Sequence, residues 1–256
     1  MEIEYKAEDG VGIVTINRPE RKNALTLEMR DEMNAHFLRL SFDKSIRAVL
    51  LTSTGDAFCS GADVGKMEQG DVMAGRMRLE RSHRLIRALY HMDKPVIAAV
   101  RGPAVGIGWS LALACDLIVA GESARFAQVF KKVGLAPDGA SAYFLAQRVG
   151  LPRAKELAFT ARFVKAAEAL TLGLVNRVVP DAEIDGAALS LAKEIADGPT
   201  TANAFTKRMF NFAVAPSLDQ FLELELLAQV QLFQTDDHHE GVAAFKEKRP
   251  AKFARS

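Results

Sequence analysis

Two glycine-rich segments, a serine and an aspartate are the residues whose types and spacing could do chemistry. Ala57-Phe-Cys-Ser-Gly61-Ala62-Asp63-Val64 and Arg101-Gly102-Pro-Ala-Val-Gly106-Ile107-Gly108-Trp109 each follow an apolar run. Glycine lets a backbone turn sharply and approach a ligand closely, leaving N–H groups free to point at an acceptor. Two such groups converging on one oxygen would make an oxyanion hole, the second strengthened by the positive end of the helix it opens. Taken singly, each loop is also an ordinary tight connection between strand and helix. Gly108-Trp-Ser110-Leu-Ala nearly spells a nucleophile elbow, and Ser110, Asp138 and His238 or His239 follow the chain order of a hydrolase triad. Ala112 stands where the last glycine belongs, however, and the stretch from Val100 to Ser110 is too long for the tight turn an elbow needs. Gly106-Ile-Gly108 is part of a dinucleotide fingerprint whose third glycine falls at Leu111. Asp138 comes just before a helix expected from about Gly139, where an aspartate is favoured simply as a cap.

The elements that must hold these residues can be read from periodicity. Asp9-Gly10 lies between two runs of β-formers, Ile3 to Ala7 and Gly12 to Ile16, which predicts a hairpin. Thr26 can cap a helix with Met29, Met33, Phe37 and Leu40 on one face, and Ala48 to Thr52 reads as a buried strand. The order repeats: a helix ending near Tyr90, a strand Val96 to Val100, a glycine loop, a helix from about Trp109, a strand Asp116 to Ala120. Strands alternating with helices predict an α/β fold with largely parallel pairing. Beyond Pro137 the chain is expected to be helical, punctuated by prolines and glycines. Near the end, the face through Phe221, Leu224, Leu227 and Leu232 fits core packing or a subunit interface.

Composition narrows the function classes. The 256 residues are 49% hydrophobic and 25% charged, enough for one sizeable core. With 33 basic against 32 acidic side chains the net charge is +1, so no strong field exists to draw in a nucleic acid or an anionic membrane. The two cysteines, Cys59 and Cys115, lack zinc spacing and fit a reduced, cytoplasmic setting, and no apolar run is long enough to span a bilayer. His36, His83 and His91 also lack metal-ligand spacing, so no metal is expected; His83 approaches the pocket only if its helix borders it.

Phe58-x-x-Gly-Ala-Asp and Gly102-Pro-Ala-Val-Gly-Ile-Gly together resemble the two signature segments of the crotonase, or enoyl-CoA hydratase/isomerase, family. Asn17-Arg-Pro-x-x-Lys-Asn-Ala-Leu, Lys94-Pro-Val-Ile-Ala-Ala-Val, Ala114-Cys-Asp, Gly173-Leu-Val-Asn and Phe245-x-x-Lys-Arg-Pro extend the resemblance, in order, over nearly the whole chain. It implies a spiral of ββα turns over 1–195 and a C-terminal helical trimerisation region over 196–256 of the same unit, assembled as a homotrimer or a dimer of trimers. It implies an acyl-CoA thioester as substrate, with CoA part of that substrate and no separate cofactor.

Carried over residue by residue, the resemblance assigns the oxyanion-hole N–H groups to Ala62 and Ile107, and contacts to CoA to Lys22, Ala24, Ala62, Asp63 and Val64. Lys248 or Lys252 resembles a terminal lysine that approaches the nucleotide. Gly106, Ser110, Phe130 and Pro137 fall around the acyl pocket, with Tyr143 and Trp109 as further wall candidates. The paired glutamates of hydratases correspond to Ser110 and Phe130, which cannot replace a carboxylate acid–base pair. Asp138 falls where several isomerases of the family keep their one catalytic carboxylate, so the resemblance implies conversion of a 3-enoyl-CoA to a 2-enoyl-CoA. A hydratase is the second reading. Aryl-CoA dehalogenases also carry an aspartate there, but their partner tryptophan and histidine are Phe130 and Arg87 in this chain. A non-catalytic acyl-CoA binder is the remaining alternative.

Overall fold

The computed structural model describes residues 1–63 and 72–214, and beyond them Asp236, Glu240, Ala244, Glu247, Arg249 and Lys252. Strands β1 (Ile3–Glu8) and β2 (Val11–Ile16) pair antiparallel from Ile3↔Ile16 to Glu8↔Val11. Asp9 and Gly10 both take positive φ, 48° and 79°, the two-residue turn whose twist matches that of the flanking strands. Helix α1 (Leu27–Phe42) starts at Thr26, whose hydroxyl accepts from the Met29 N–H at 3.2 Å. It buries Met29, Met33, Phe37 and Leu40, as the spacing predicts, and Arg30 with them.

Every residue of β3 (Ala48–Ser53) and β4 (Val96–Val100) is buried, so both faces of the sheet are covered. Alternate residues point to opposite sides. Val49, Leu51, Val96, Ala98 and Val100 enter a core shared with α1, α2 (Val72–Tyr90) and α3 (Ile107–Ala114). Ala48, Leu50, Ile97 and Ala99 face Ile184, Ala188, Leu191 and Ala192 of α6 (Ile184–Ala196). The main sheet runs β1-β2-β3-β4-β6-β9, with β6 at Leu117–Gly121 and β9 at Arg177–Val179, parallel from β2 onward.

A second, smaller sheet holds β5 (Pro103–Val105), β7 (Arg125–Ala127) and β8 (Val164–Lys165). Isolated parallel bridges, Cys59↔Ala104 and Leu25↔Ala62, extend its pairing pattern into the loops after β3 and β2. Each turn of the chain thus runs through a strand of the large sheet, then a short piece of the small one, then a helix. The remaining helices are α4 (Ser141–Thr160), broken at Gly150, α5 (Ala166–Thr171) and α7 (Thr200–Phe212). Lys207 ties α7 to the sheet: its ammonium meets Asp116 at 2.7 Å and donates to the Leu89 and Lys94 carbonyls.

Several expectations change in detail. The helix expected from about Trp109 starts two residues earlier, at Ile107, which makes Ile107 rather than Trp109 its first N–H. The strand expected from Asp116 begins at Leu117 because the Asp116 carboxylate accepts the Val96 N–H at 2.7 Å and pairs with Lys207. The region beyond Pro137 is not wholly helical: β8 and β9 are strands of two and three residues, too short to show a period. Phe221, Leu224, Leu227 and Leu232 lie outside the described residues. Among the described residues no helix is long and apolar enough to cross a membrane.

The two glycines at Gly102 and Gly186 make opposite demands. A Cβ on Gly102, at φ +52°, would stand 1.9 Å from the Asp56 carbonyl oxygen, whereas one on Gly186, inside α6, meets nothing within 4 Å. Gly102→Ala is expected to destabilise the chain by at least about 2 kcal/mol and Gly186→Ala to stabilise it by about 1 kcal/mol. Paired chemical-denaturation curves check this; equal midpoints for the two variants would refute the crossing assigned to Gly102.

Candidate functional site

Three chain segments are laid side by side by main-chain bonds. Cys59 donates its N–H to Pro103 at 3.1 Å and accepts from Val105 at 2.9 Å. Leu25 donates to Gly61 at 2.8 Å and accepts from Asp63 at 3.0 Å. In a parallel bridge the residue opposite Leu25 turns its own N–H to the other edge, so the Ala62 N–H points away from Leu25. Val105 lies on that other side: its carbonyl would be 3.3 Å from a Cβ on Gly61. Three residues along each segment from the Cys59–Ala104 bridge lie Ala62 and Ile107. Ile107 is the first residue of α3, so its N–H has no acceptor within the helix. Gly106 before it, at φ +55°, gives its N–H to Ala127 at 2.9 Å and its carbonyl to Ser110 at 3.0 Å. Neither the Ala62 nor the Ile107 N–H has a partner among the described residues.

The 137–139 segment is pressed against the same turn of helix. A Cβ on Gly139 would come within 2.5 Å of Ile107 Cδ1 and 2.8 Å of Ser110 Cβ. The Asp138 carbonyl accepts from Ser110 Oγ at 3.0 Å, Ser141 Oγ at 2.9 Å and the Ser141 N–H at 3.2 Å. The helix expected from about Gly139 starts at Ser141 with Ala140 at its cap position, so Asp138 meets the start of α4 through its main-chain carbonyl and not, as an aspartate cap would, through its carboxylate. Asp138 Oδ1 is buried without a hydrogen-bond partner among the described residues. Burial pushes this carboxyl above the ordinary aspartate range, and the positive charges of Arg30 and His83 oppose that shift.

Ser110 is fully buried and its hydroxyl bonds the Gly106 and Asp138 carbonyls, leaving it committed to packing α3 and not exposed as a nucleophile. His238 and His239 lie outside the described residues. The Phe130 ring, 3.7 Å from where a Gly106 Cβ would stand, covers the start of α3, with half-buried Pro137 one residue before Asp138. Trp109 is not a wall residue: it is wholly buried against Phe126 in the core. Tyr143 is largely exposed beside Phe144. Cys59 is buried and its thiol pushed up to about 12, so it stays neutral.

A second rim is built by Asn23. Lys22 and Asn23 sit in the left-handed region at φ 49° and 57°. The buried Asn23 side chain accepts from the Arg18 N–H at 2.7 Å and donates to the Thr54 and Ala57 carbonyls. Arg18 Nη1 then binds both the Ala24 carbonyl at 2.9 Å and Asp63 Oδ2 at 2.8 Å, and Ser60 donates its N–H to Lys22. Lys22, Ala24, Ala62 and Asp63 are thereby brought together, with the Lys22 ammonium exposed 3.7 Å from Asp56. Val64 and Lys248 lie outside the described residues. Lys252 donates its N–H to Glu240 at 2.7 Å, and no described contact links it to this rim.

Arg30 was not singled out by sequence reasoning, because an arginine on an amphipathic helix reads as solvated. It is 3% exposed, and its Nη1 donates to buried Ser82 of α2 at 2.7 Å. Burial depresses its pKa, and Asp138 is the largest of the charges that oppose the shift. The only hint in the sequence is its position between Met29 and Met33, beside the apolar stripe. His83, on the same helix as Ser82, is exposed, while Leu85, Ile86 and Leu89 of that helix share the core with α3. Among the described residues, no group of three or more His, Cys, Asp or Glu side chains could hold a metal ion.

A family model described as enoyl-CoA hydratase/isomerase matches residues 6–256. A short-chain-enoyl-CoA hydratase of Clostridium acetobutylicum is 36% identical over 94% of this chain and 93% of its own length. A 1,2-epoxyphenylacetyl-CoA isomerase of Escherichia coli K12 is also 36% identical, over 96% of this chain and 95% of its own. A crystal structure of an enoyl-CoA hydratase from Polaromonas sp. JS666 superposes with a TM-score of 0.95 at 32% identity, covering 98% of this chain and 99% of that one.

The raised Asp138 carboxyl has a stability consequence. The folded state holds its proton more tightly than the unfolded state, so stability falls as pH rises from the unfolded aspartate value through the folded one. Asp138→Asn is expected to raise the unfolding temperature at pH 7 and to do so by less at pH 4. Calorimetry at both pH values decides it, and a lowered midpoint at pH 7 would mean that the carboxylate anchors the fold.

Proposed function

Because the chain belongs to the enoyl-CoA hydratase/isomerase family, we propose that it binds an enoyl-CoA by its thioester carbonyl and shifts the double bond from the 3- to the 2-position. The observation that carries this reading is Oδ1 of the Asp138 carboxylate, buried and without a hydrogen-bond partner among the described residues, next to Gly139, which is pressed against the first turn of α3. Asp138 takes a proton from C2 and the electron pair moves onto the carbonyl oxygen. The Ala62 and Ile107 N–H groups receive the developing charge, for which a fixed donor is worth more than mobile water. The dienolate collapses when the same carboxyl returns the proton at C4, and no atom is gained or lost. A raised pKa suits this task, since a base must hold the proton long enough to redeliver it. The Lys22–Asp63 rim supports binding of the CoA portion through its exposed edge.

Hydration of a 2-enoyl-CoA is the second reading, favoured by the hydratase names of the Clostridium and Polaromonas relatives. Asp138 would then take its proton from water. Against it stand Ser110 and Phe130, one hydrogen-bonded to main chain and the other an apolar cover.

Supplying a 3-enoyl-CoA in deuterated water and following double-bond position and product mass separates the two. Asp138→Asn is expected to lower isomerisation by about 100-fold or more while CoA-thioester binding persists. Ile107→Pro removes one donor at the helix position proline tolerates best and is expected to lower kcat by about 100-fold or more. Prompt 3-hydroxyacyl-CoA formation by the wild type, or full activity in Asp138→Asn, would overturn the isomerase reading.

A further inference from the structure

The face of the main sheet turned towards α6 changes character along its strands. Ile13, Leu50 and Ala99 pack against α6, and two residues further along β2, β3 and β4 the same face carries Thr15, Thr52 and Arg101. Thr15 lies opposite both Glu4 of β1 and Thr52 of β3, so a polar row crosses three strands beside the row Lys6, Ile13 and Leu50. Both rows and Arg101 line one cavity of about 630 Å³, bordered on the helix side by Asp185 and Leu189. It lies at the carboxyl ends of the parallel strands β2, β3 and β4, the end at which open α/β sheets generally bind ligands. The core that holds Ile107 and packs Ala62 is on the other face of the sheet.

The wall of this cavity carries hydrogen-bonding groups that the fold does not use. Thr52 is only 9% exposed, and its hydroxyl is buried without a partner among the described residues, as is Nε of Arg101. Arg101 gives Nη2 to Asp185, so its guanidinium is already anchored with Nε left over. Leaving a buried polar group unpaired is costly, and two of them at the wall of one cavity mark a place where a ligand gains hydrogen bonds. Charge narrows the ligand class. Lys6 and Arg101 stand against Glu4 and Asp185, and the adjoining cavity that shares Arg101 adds Lys22 and Arg125 against Asp56 and Asp181. With the signs balanced, no field gathers an anion. Arg101 Nε only donates, ionised Glu4 and Asp185 only accept, and the hydroxyls of Thr15 and Thr52 do either. Ligand hydroxyls, which both donate and accept, match this mixture, whereas a phosphate or carboxylate would meet Glu4 and Asp185 as like charges.

We propose that this cavity binds a neutral polyhydroxyl ligand, a monosaccharide unit, with Thr52 and Arg101 as its anchors. One ligand hydroxyl accepts from Arg101 Nε and gives its proton to Asp185, and a second is shared between Thr52 and Thr15. Ile13, Leu50 and Leu189 offer an apolar floor to the C–H face of the ring. The site is separate from thioester binding and does not depend on the acyl-CoA reading.

The test is ligand-observed saturation-transfer NMR on the whole protein with D-glucose, D-galactose, D-mannose and D-ribose, and with inorganic phosphate and acetate titrated as anionic probes. At least one sugar is expected to receive saturation and to titrate to a plateau. Thr52→Val, which puts a methyl where the unpartnered hydroxyl stood, is expected to weaken that sugar by about tenfold, and Arg101→Met by as much or more. Thr52→Val removes no hydrogen bond found among the described residues, so its unfolding midpoint and its affinity for crotonyl-CoA are expected to match the wild type, and a lost sugar signal then reports the site and not the fold. Saturation of none of the four sugars, a sugar affinity that survives Thr52→Val, or phosphate or acetate bound in place of the sugars would overturn the proposal. Failure of the wild type to bind crotonyl-CoA would count against the acyl-CoA reading instead, while the sugar titration still decides this site.

Discussion

The main-chain pairing of Leu25 with Ala62 and of Cys59 with Ala104 is the constraint on which the site depends. It brings three successive crossings of the chain into one register, and because peptide bonds are planar it also decides which way each N–H points. The Ala62 N–H is turned outward because Leu25 uses the other edge. The Ile107 N–H is free because a helix begins there. This close stacking is possible only where side chains are missing: Gly108 would put a Cβ 2.5 Å from the Cys59 carbonyl oxygen, and Gly139 would drive one into Ile107. The glycines thus act through distance as much as through turn geometry.

Charges inside this scaffold are arranged so that each is partly answered. Arg18 bridges the Ala24 carbonyl and the Asp63 carboxylate and so locks two crossings together through a side chain as well as through peptide groups. Arg30 and Asp138 are each penalised by burial and each relieved by the other's charge. Cys59, buried against Gly108 of α3, stays a neutral thiol and adds packing without charge.

The parts of this arrangement that were legible in sequence are those repeated often enough to show a period or a motif. The Asp9-Gly10 hairpin, the Thr26 cap, the buried runs of β3 and β4 and the two glycine segments all belong there. The small sheet was not legible, since β5, β7 and β8 are two or three residues long and their pairing is set by the larger sheet that carries them. Arg30 was hidden for a different reason: charge predicts exposure, and only tertiary packing against α2 overrides it. Asp138 was open between cap and carboxylate. A cap needs its side-chain oxygen on the helix N–H groups, and here the carbonyl does that work, freeing the carboxylate.

Relatives of similar identity bear names as different as short-chain-enoyl-CoA hydratase and 1,2-epoxyphenylacetyl-CoA isomerase. The donors at Ala62 and Ile107 are peptide groups, indifferent to the side chain they carry, so substitution at Ile107 leaves the N–H in place. The acids and bases are side chains, and a single exchange removes or adds one. At Ser110 and Phe130 this chain offers a hydroxyl bonded to main chain and an apolar ring, and at Asp138 it offers a carboxylate whose pKa burial has raised. The backbone can therefore hold one arrangement of N–H groups while a few side chains set which acids and bases stand beside it.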